Sequence, residues 1–166
     1  LSKIIKPDIG IITNIGNSHL EKLINVEGVF NVKSELVKNI SKGGTLIVPN
    51  DMKYLHKWKK MAKDIKVIPV PKKFITKNVK ISNDKKMMTF NIIKSSRENK
   101  EYKVISISSS LLGKHNVQNI LVCHTCLNEL GESNSKMLKS LKKISSSISR
   151  QKILSWRNKS TLIDDT

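Results

Sequence analysis

Aromatic side chains are scarce in this chain: three Phe, two Tyr and two Trp among 166 residues. Too few are interleaved with the basic residues to build the stacking platform on which single-stranded nucleic acid is held. Cysteine is limited to two, and nothing at the N-terminus reads as a signal peptide, which points to a reducing, cytoplasmic setting. No apolar run approaches the roughly 20 residues needed to cross a bilayer. The phosphate-cradling pattern G-x-x-x-x-G-K followed by Ser or Thr is missing as well, because Gly113 and Lys114 have no glycine-rich loop before them. Acidic residues are few, 13 against 31 Lys plus Arg, and the net charge is +18.

Such a charge is the usual electrostatic footprint of a protein that binds nucleic acid or a membrane surface. Its distribution argues against that use. The lysines are spread through predicted helices, turns and strands, recur with Ile, Asn and Ser, and prevail over arginine, as a compositional bias of the source genome would make them. We read the charge as a solvated surface. The length suits one domain with a real core, or a domain and a piece of another. The start at Leu1 and the end at Thr166, after an apolar run and two aspartates, lead us to expect a piece of a longer protein.

Residues 8–13 form a short apolar run with one glycine, expected as a buried strand of a parallel sheet. Residues 14–25 are a polar loop. Loops at the carboxyl ends of such strands are where ligands bind, which favours His19 and Glu21. A helix is predicted over 26–40, stopped by Gly43 and Gly44. A strand over 45–48, an exposed lysine-rich helix over 52–63 and a strand over 65–70 complete an alternation that marks a parallel α/β sheet. Residues 72–107 change to short β-rich runs, 79–81, 87–93 and 102–107, expected as an antiparallel appendage. Helices follow over 117–130 and 134–144. The serine-rich stretch 145–149 is the expected domain boundary, and 152–156 and 161–163 read as the first strands of a further domain.

At 100° per residue, Val26, Val29, Phe30, Leu36, Val37 and Ile40 share one helix face, and Lys33 falls near its middle. An ammonium held on a buried face loses its hydration, so it must find an anion, give up its proton or be chemically changed. A neutral amine can take up carbon dioxide as a carbamate, which is an anion and a metal ligand. The alternative is a side chain that snorkels to water along its methylenes.

Three patterns lie in order: TNIGNSHLE at 13–21, EGVFNVKSE at 27–35 and GKHNVQN at 113–119. Together they resemble the central domain of the Mur ligases, ATP-dependent amide-forming enzymes of bacterial cell-wall precursor synthesis, and the resemblance covers essentially the whole chain. The first two are closest to the members that add D-alanyl-D-alanine to UDP-N-acetylmuramoyl-tripeptide, with a departure at Ile24, where those members usually have glycine. The implied fold is α/β, a mostly parallel sheet flanked by helices with a small antiparallel β appendage, incomplete at both ends. Residues 1–148 would be the central ATP-binding domain without its P-loop part, and 149–166 the start of the C-terminal domain.

The resemblance also implies roles. His19 and a carbamylated Lys33 would share a magnesium ion, in keeping with the preference of Mg²⁺ for oxygen ligands near a phosphate in transfer. Asn116 and Asn119 would serve the adenine side of ATP, each amide able to donate and accept. Read alone, Asn116 caps a helix and Asn119 is a polar residue on it. Arg150 would approach the ATP phosphates and Asp165 the ribose. The implied partners are the UDP-linked muramoyl peptide and D-alanyl-D-alanine, joined through an acyl phosphate by a cytoplasmic monomer. The P-loop and a magnesium-binding glutamate would lie upstream of Leu1, so residues 1–166 alone are expected to be inactive. The rival readings are a Mur-type ligase for a different amino acid and a catalytically inactive basic binding module. CHTC at 123–126 has the spacing of a zinc or redox pair. It falls inside a predicted helix with no second pair, so structural burial is expected for it. His56, set among lysines, carries no motif.

Overall fold

The computed structural model describes residues 2–15, 25–50, 52–70, 74–82, 87–95, 102–144, 152–155 and 161–164. The chain divides into two compact units, Leu1–Lys72 with Asn119–Glu129, and Lys73–Gln118 with Leu130–Thr166.

In the first unit a short helix α1 (Ser2–Ile5) precedes strand β1 (Ile9–Ile11), and β2 (Thr45–Pro49) and β3 (Lys66–Val70) follow. The three form a parallel sheet in that order, with Ile9 opposite Thr45 and Thr45 opposite Lys66. Parallel neighbours need a crossover, and helices supply both: α2 (Val26–Ser34) between β1 and β2, and α3 (Met52–Met61) between β2 and β3. The central strand β2 is buried from Thr45 to Val48, so both of its faces are covered, as its uninterrupted Leu-Ile-Val run requires. Leu46 and Val48 gather Ile12, Phe30, Val37, Ile40, Tyr54, Leu55 and Trp58 into one core. Ile47, on the opposite face by strand alternation, is fully buried too. Helix α4 (Lys114–Glu129) contributes its residues from Asn119 onward to this unit, where Glu129 pairs with Lys66 at 2.7 Å.

Two expectations for this unit are corrected. The helix expected over 26–40 ends at Ser34, and a 3-10 turn, Val37–Asn39, follows. From Glu35 the bonds tighten to i→i−3, the Glu35 N–H going to the Val32 carbonyl at 3.2 Å and the Leu36 N–H to the Lys33 carbonyl at 3.3 Å; the Asn39 side chain then donates to the Glu35 carbonyl at 2.8 Å, occupying the acceptor that an α-helix would give to the Asn39 N–H. That N–H goes instead to the Leu36 carbonyl at 3.0 Å. The helix expected to be exposed over 52–63 is amphipathic. Lys53, Lys59 and Lys60 face water, while Tyr54, Leu55 and Trp58 are buried.

In the second unit β4 (Phe74–Ser82), β5 (Met87–Ser95) and β6 (Tyr102–Ser109) form the antiparallel sheet, longer than the runs expected, with a register shift between Lys77 and Lys80. Met88, Phe90 and Ile92 alternate inward from β5, and Ile105 and Ile107 from β6. Helix α5 (Asn134–Lys143) buries Met137 and Leu141, one turn apart. Ser110 Oγ donates to the Ile144 carbonyl just beyond it. Strands β7 (Lys152–Ser155) and β8 (Thr161–Asp164) pair antiparallel, Ile153 opposite Ile163. Among the described residues no helix is long and apolar enough to cross a membrane.

Candidate functional site

The chain stays in register past the end of β1, since the Ile12 N–H donates to the Ile47 carbonyl at 2.9 Å. Thr13 and Asn14 are thereby held at the carboxyl end of the strand. Helix α2 opens with Asn25, whose Oδ1 accepts from the Gly28 N–H at 2.9 Å, and carries Glu27 in its first turn, where the helix dipole favours an acid. Its buried face is clamped by aromatic rings: Phe30 stacks on Tyr54 with centroids 4.9 Å apart and lies 5.6 Å from Trp58. Trp58 Nε1 donates to Ser34 Oγ at 2.9 Å in the core. This bond fixes the turn from which Lys33 projects.

Lys33 reaches back 19 residues. Its Nζ donates to the Asn14 carbonyl at 2.9 Å and to Asn14 Oδ1 at 3.2 Å. A cleft of about 290 Å³, lined by Ile11, Ile12, Thr13, Lys33 and Leu36, opens at this point. Lys33 is half-buried, and among the described residues its ammonium donates to these two neutral oxygens and not to a carboxylate. Two acceptors around an ammonium do not make a cation site. The same position with Lys33 as a carbamate offers oxygens, which is the donor chemistry that Mg²⁺ takes. Among the described residues no group of three or more His, Cys, Asp or Glu comes together.

Of the other expected site residues, His19 and Glu21 lie outside the described residues, as do Arg150 and Asp165. Asn116 sits in the first turn of α4, where its N–H bonds the Gly113 carbonyl at 3.0 Å and its Nδ2 donates to the Leu112 carbonyl at 2.7 Å. The helix starts at Lys114 and not at 117 because Gly113, at φ +98°, makes the sharp entry there. Asn119, one turn on, is exposed. The burial expected for the cysteine pair is corrected: Cys123 is exposed and Cys126 only half-buried, while His124 and Thr125 between them are buried. Asn14 and the Ser34–Trp58 bond escaped the sequence reading. The spacing of Tyr54 and Trp58, one turn apart, was the signal for the second.

The model of the Mur ligase middle domain matches residues 1–127. The chain belongs to the Mur ligase family. It is 32% identical over 130 residues to the UDP-N-acetylmuramoyl-tripeptide--D-alanyl-D-alanine ligase of Buchnera aphidicola subsp. Baizongia pistaciae, a match covering 75% of this chain and 26% of that protein. It is 28% identical to the UDP-N-acetylmuramate--L-alanine ligase of Endomicrobium trichonymphae, across 97% of this chain and 35% of that one. Among solved structures, MurF from Acinetobacter baumannii superposes with a TM-score of 0.81 at 23% identity, over 99% of this chain and 35% of that one. This Mur ligase chain therefore has the expected α/β fold with its small antiparallel sheet, and spans between a quarter and about a third of the length of these relatives.

Proposed function

We propose that the chain is part of an ATP-dependent ligase that adds D-alanyl-D-alanine to UDP-N-acetylmuramoyl-tripeptide, with residues 1–148 in its central domain and 149–166 opening its C-terminal domain. The observation that supports this best is the Lys33 amine, seated on the Asn14 oxygens at the carboxyl end of β1 beside an open cleft. In this reading the carboxylate of the UDP-linked peptide is activated as an acyl phosphate at the expense of ATP. The amine of D-alanyl-D-alanine then displaces phosphate to form the amide. Lys33, as a carbamate, and His19 would hold the Mg²⁺ that neutralises charge on the phosphoryl group. Asn116 and Asn119 would contact the adenine, Arg150 the phosphates and Asp165 the ribose.

The similarity to an L-alanine ligase across 97% of this chain keeps a second reading in view, in which the same site serves another amino acid. Phosphate release by the intact protein, with matched muramoyl acceptors and either D-alanyl-D-alanine or L-alanine, separates the two. Turnover with D-alanyl-D-alanine alone is expected, and turnover with L-alanine alone would replace the first reading with the second. No turnover with either, together with steeply salt-dependent DNA or RNA binding, would make the chain a basic binding module.

A further inference from the structure

Asn14 presents two oxygens to one nitrogen, and this pair sets what Lys33 can become. Its backbone carbonyl lies 2.9 Å from Lys33 Nζ and its Oδ1 lies 3.2 Å away. An ammonium has three hydrogens and a neutral amine two. The same two acceptors therefore satisfy the amine fully, and its lone pair takes the remaining tetrahedral direction. Attack of that lone pair on carbon dioxide forms the N–C bond, one C–O π pair becomes carboxylate charge, and the nitrogen loses one proton to solvent. One N–H is then left, and the nearer acceptor, the backbone carbonyl, retains it. Oδ1 would now face a carboxylate oxygen, a repulsion between two acceptors. Rotating the exposed Asn14 amide half a turn puts its Nδ2 donor there instead.

We propose that Asn14 is the positioning residue for modification of Lys33, its carbonyl holding the lysine nitrogen throughout and its side-chain amide switching from acceptor of the amine to donor to the carbamate. This rests on the reading of Lys33 as a carbamate. Aspartate has the same size and accepts as well as asparagine does, but it cannot donate when ionised. Its charge beside Nζ would by itself repel the carbamate, so the neutral Asn14→Ala, which removes only the donor, is the variant that separates the proposed role from one of shaping the loop. Asn14→Asp removes the donor and adds the charge, so it is expected to give the larger loss.

The test is ¹³C NMR of the intact protein equilibrated with ¹³C-bicarbonate at fixed pH, the Lys33 signal being assigned by its loss in Lys33→Gln. Asn14→Asp is expected to lower the carbamate signal about tenfold or more, with an unaltered thermal melt. Asn14→Ala, which removes the donor without adding charge, is expected to lower it by a smaller factor. A wild-type signal in folded Asn14→Asp overturns the proposal while leaving the reading of Lys33 intact. A wild-type signal in Asn14→Ala overturns it in the same way, whether or not Asn14→Asp folds. Absence of any Lys33-dependent signal in the wild type refutes the carbamate itself and the proposal with it.

Discussion

Trp58 is fully buried and its indole N–H finds one acceptor, Ser34 Oγ at 2.9 Å. Replacing that hydroxyl orphans a buried donor, which costs about 1–3 kcal/mol. Chemical denaturation of Ser34→Ala should show a loss in that range, and wild-type stability would mean that the indole has another partner. The cysteines are distinguished by their surroundings. Burial, then the neighbouring Cys123 and Glu129 charges, push the Cys126 thiol above its ordinary range, because all three disfavour the thiolate. Alkylation at neutral pH should modify exposed Cys123 first. The Cys126 rate should climb only at a higher pH than a free thiol requires. Equal rates at neutral pH would contradict that shift.

The turn that closes the first crossover fixes where β2 starts. A Cβ on Gly44 would lie 2.6 Å from the Asp8 carbonyl oxygen and 2.9 Å from that of Ser41, both backbone atoms that cannot step aside. Gly44→Ala should therefore destabilise the chain by about 1–3 kcal/mol, an overpacking cost, measurable as a lowered denaturation midpoint. An unchanged midpoint would show that the turn can open. The alternation of strands and helices was legible in the sequence because β2 and β3 are apolar runs bounded by turn residues. The end of α2 was not, since periodicity does not register the tightening to i→i−3 bonds from Glu35 or the Asn39 side chain taking the Glu35 carbonyl. The buried face of α3 was obscured for a different reason: lysines surround Tyr54 and Trp58 in sequence, and only their separation by one turn sets them apart.

At the scale of the whole molecule, three short motifs carry more information about the family than the net charge of +18 does. Family membership and the α/β fold followed from those motifs. Lys33 stood out because a cation on an apolar helix face needs a partner. The partner, Asn14, could not be found from periodicity, because the contact joins residues 19 apart. The role proposed for this lysine is to act as a carbamate in amide formation. Its most direct measurement is ligation of UDP-N-acetylmuramoyl-tripeptide to D-alanyl-D-alanine by the intact protein and by Lys33→Arg. Arginine keeps the positive charge and the donors but does not become a carbamate. Loss of product formation, with a preserved thermal melt and partial recovery when a short-chain carboxylic acid is added to Lys33→Ala, is the predicted result. Wild-type ligation by Lys33→Arg would contradict it and leave Lys33 as a surface charge resting on Asn14.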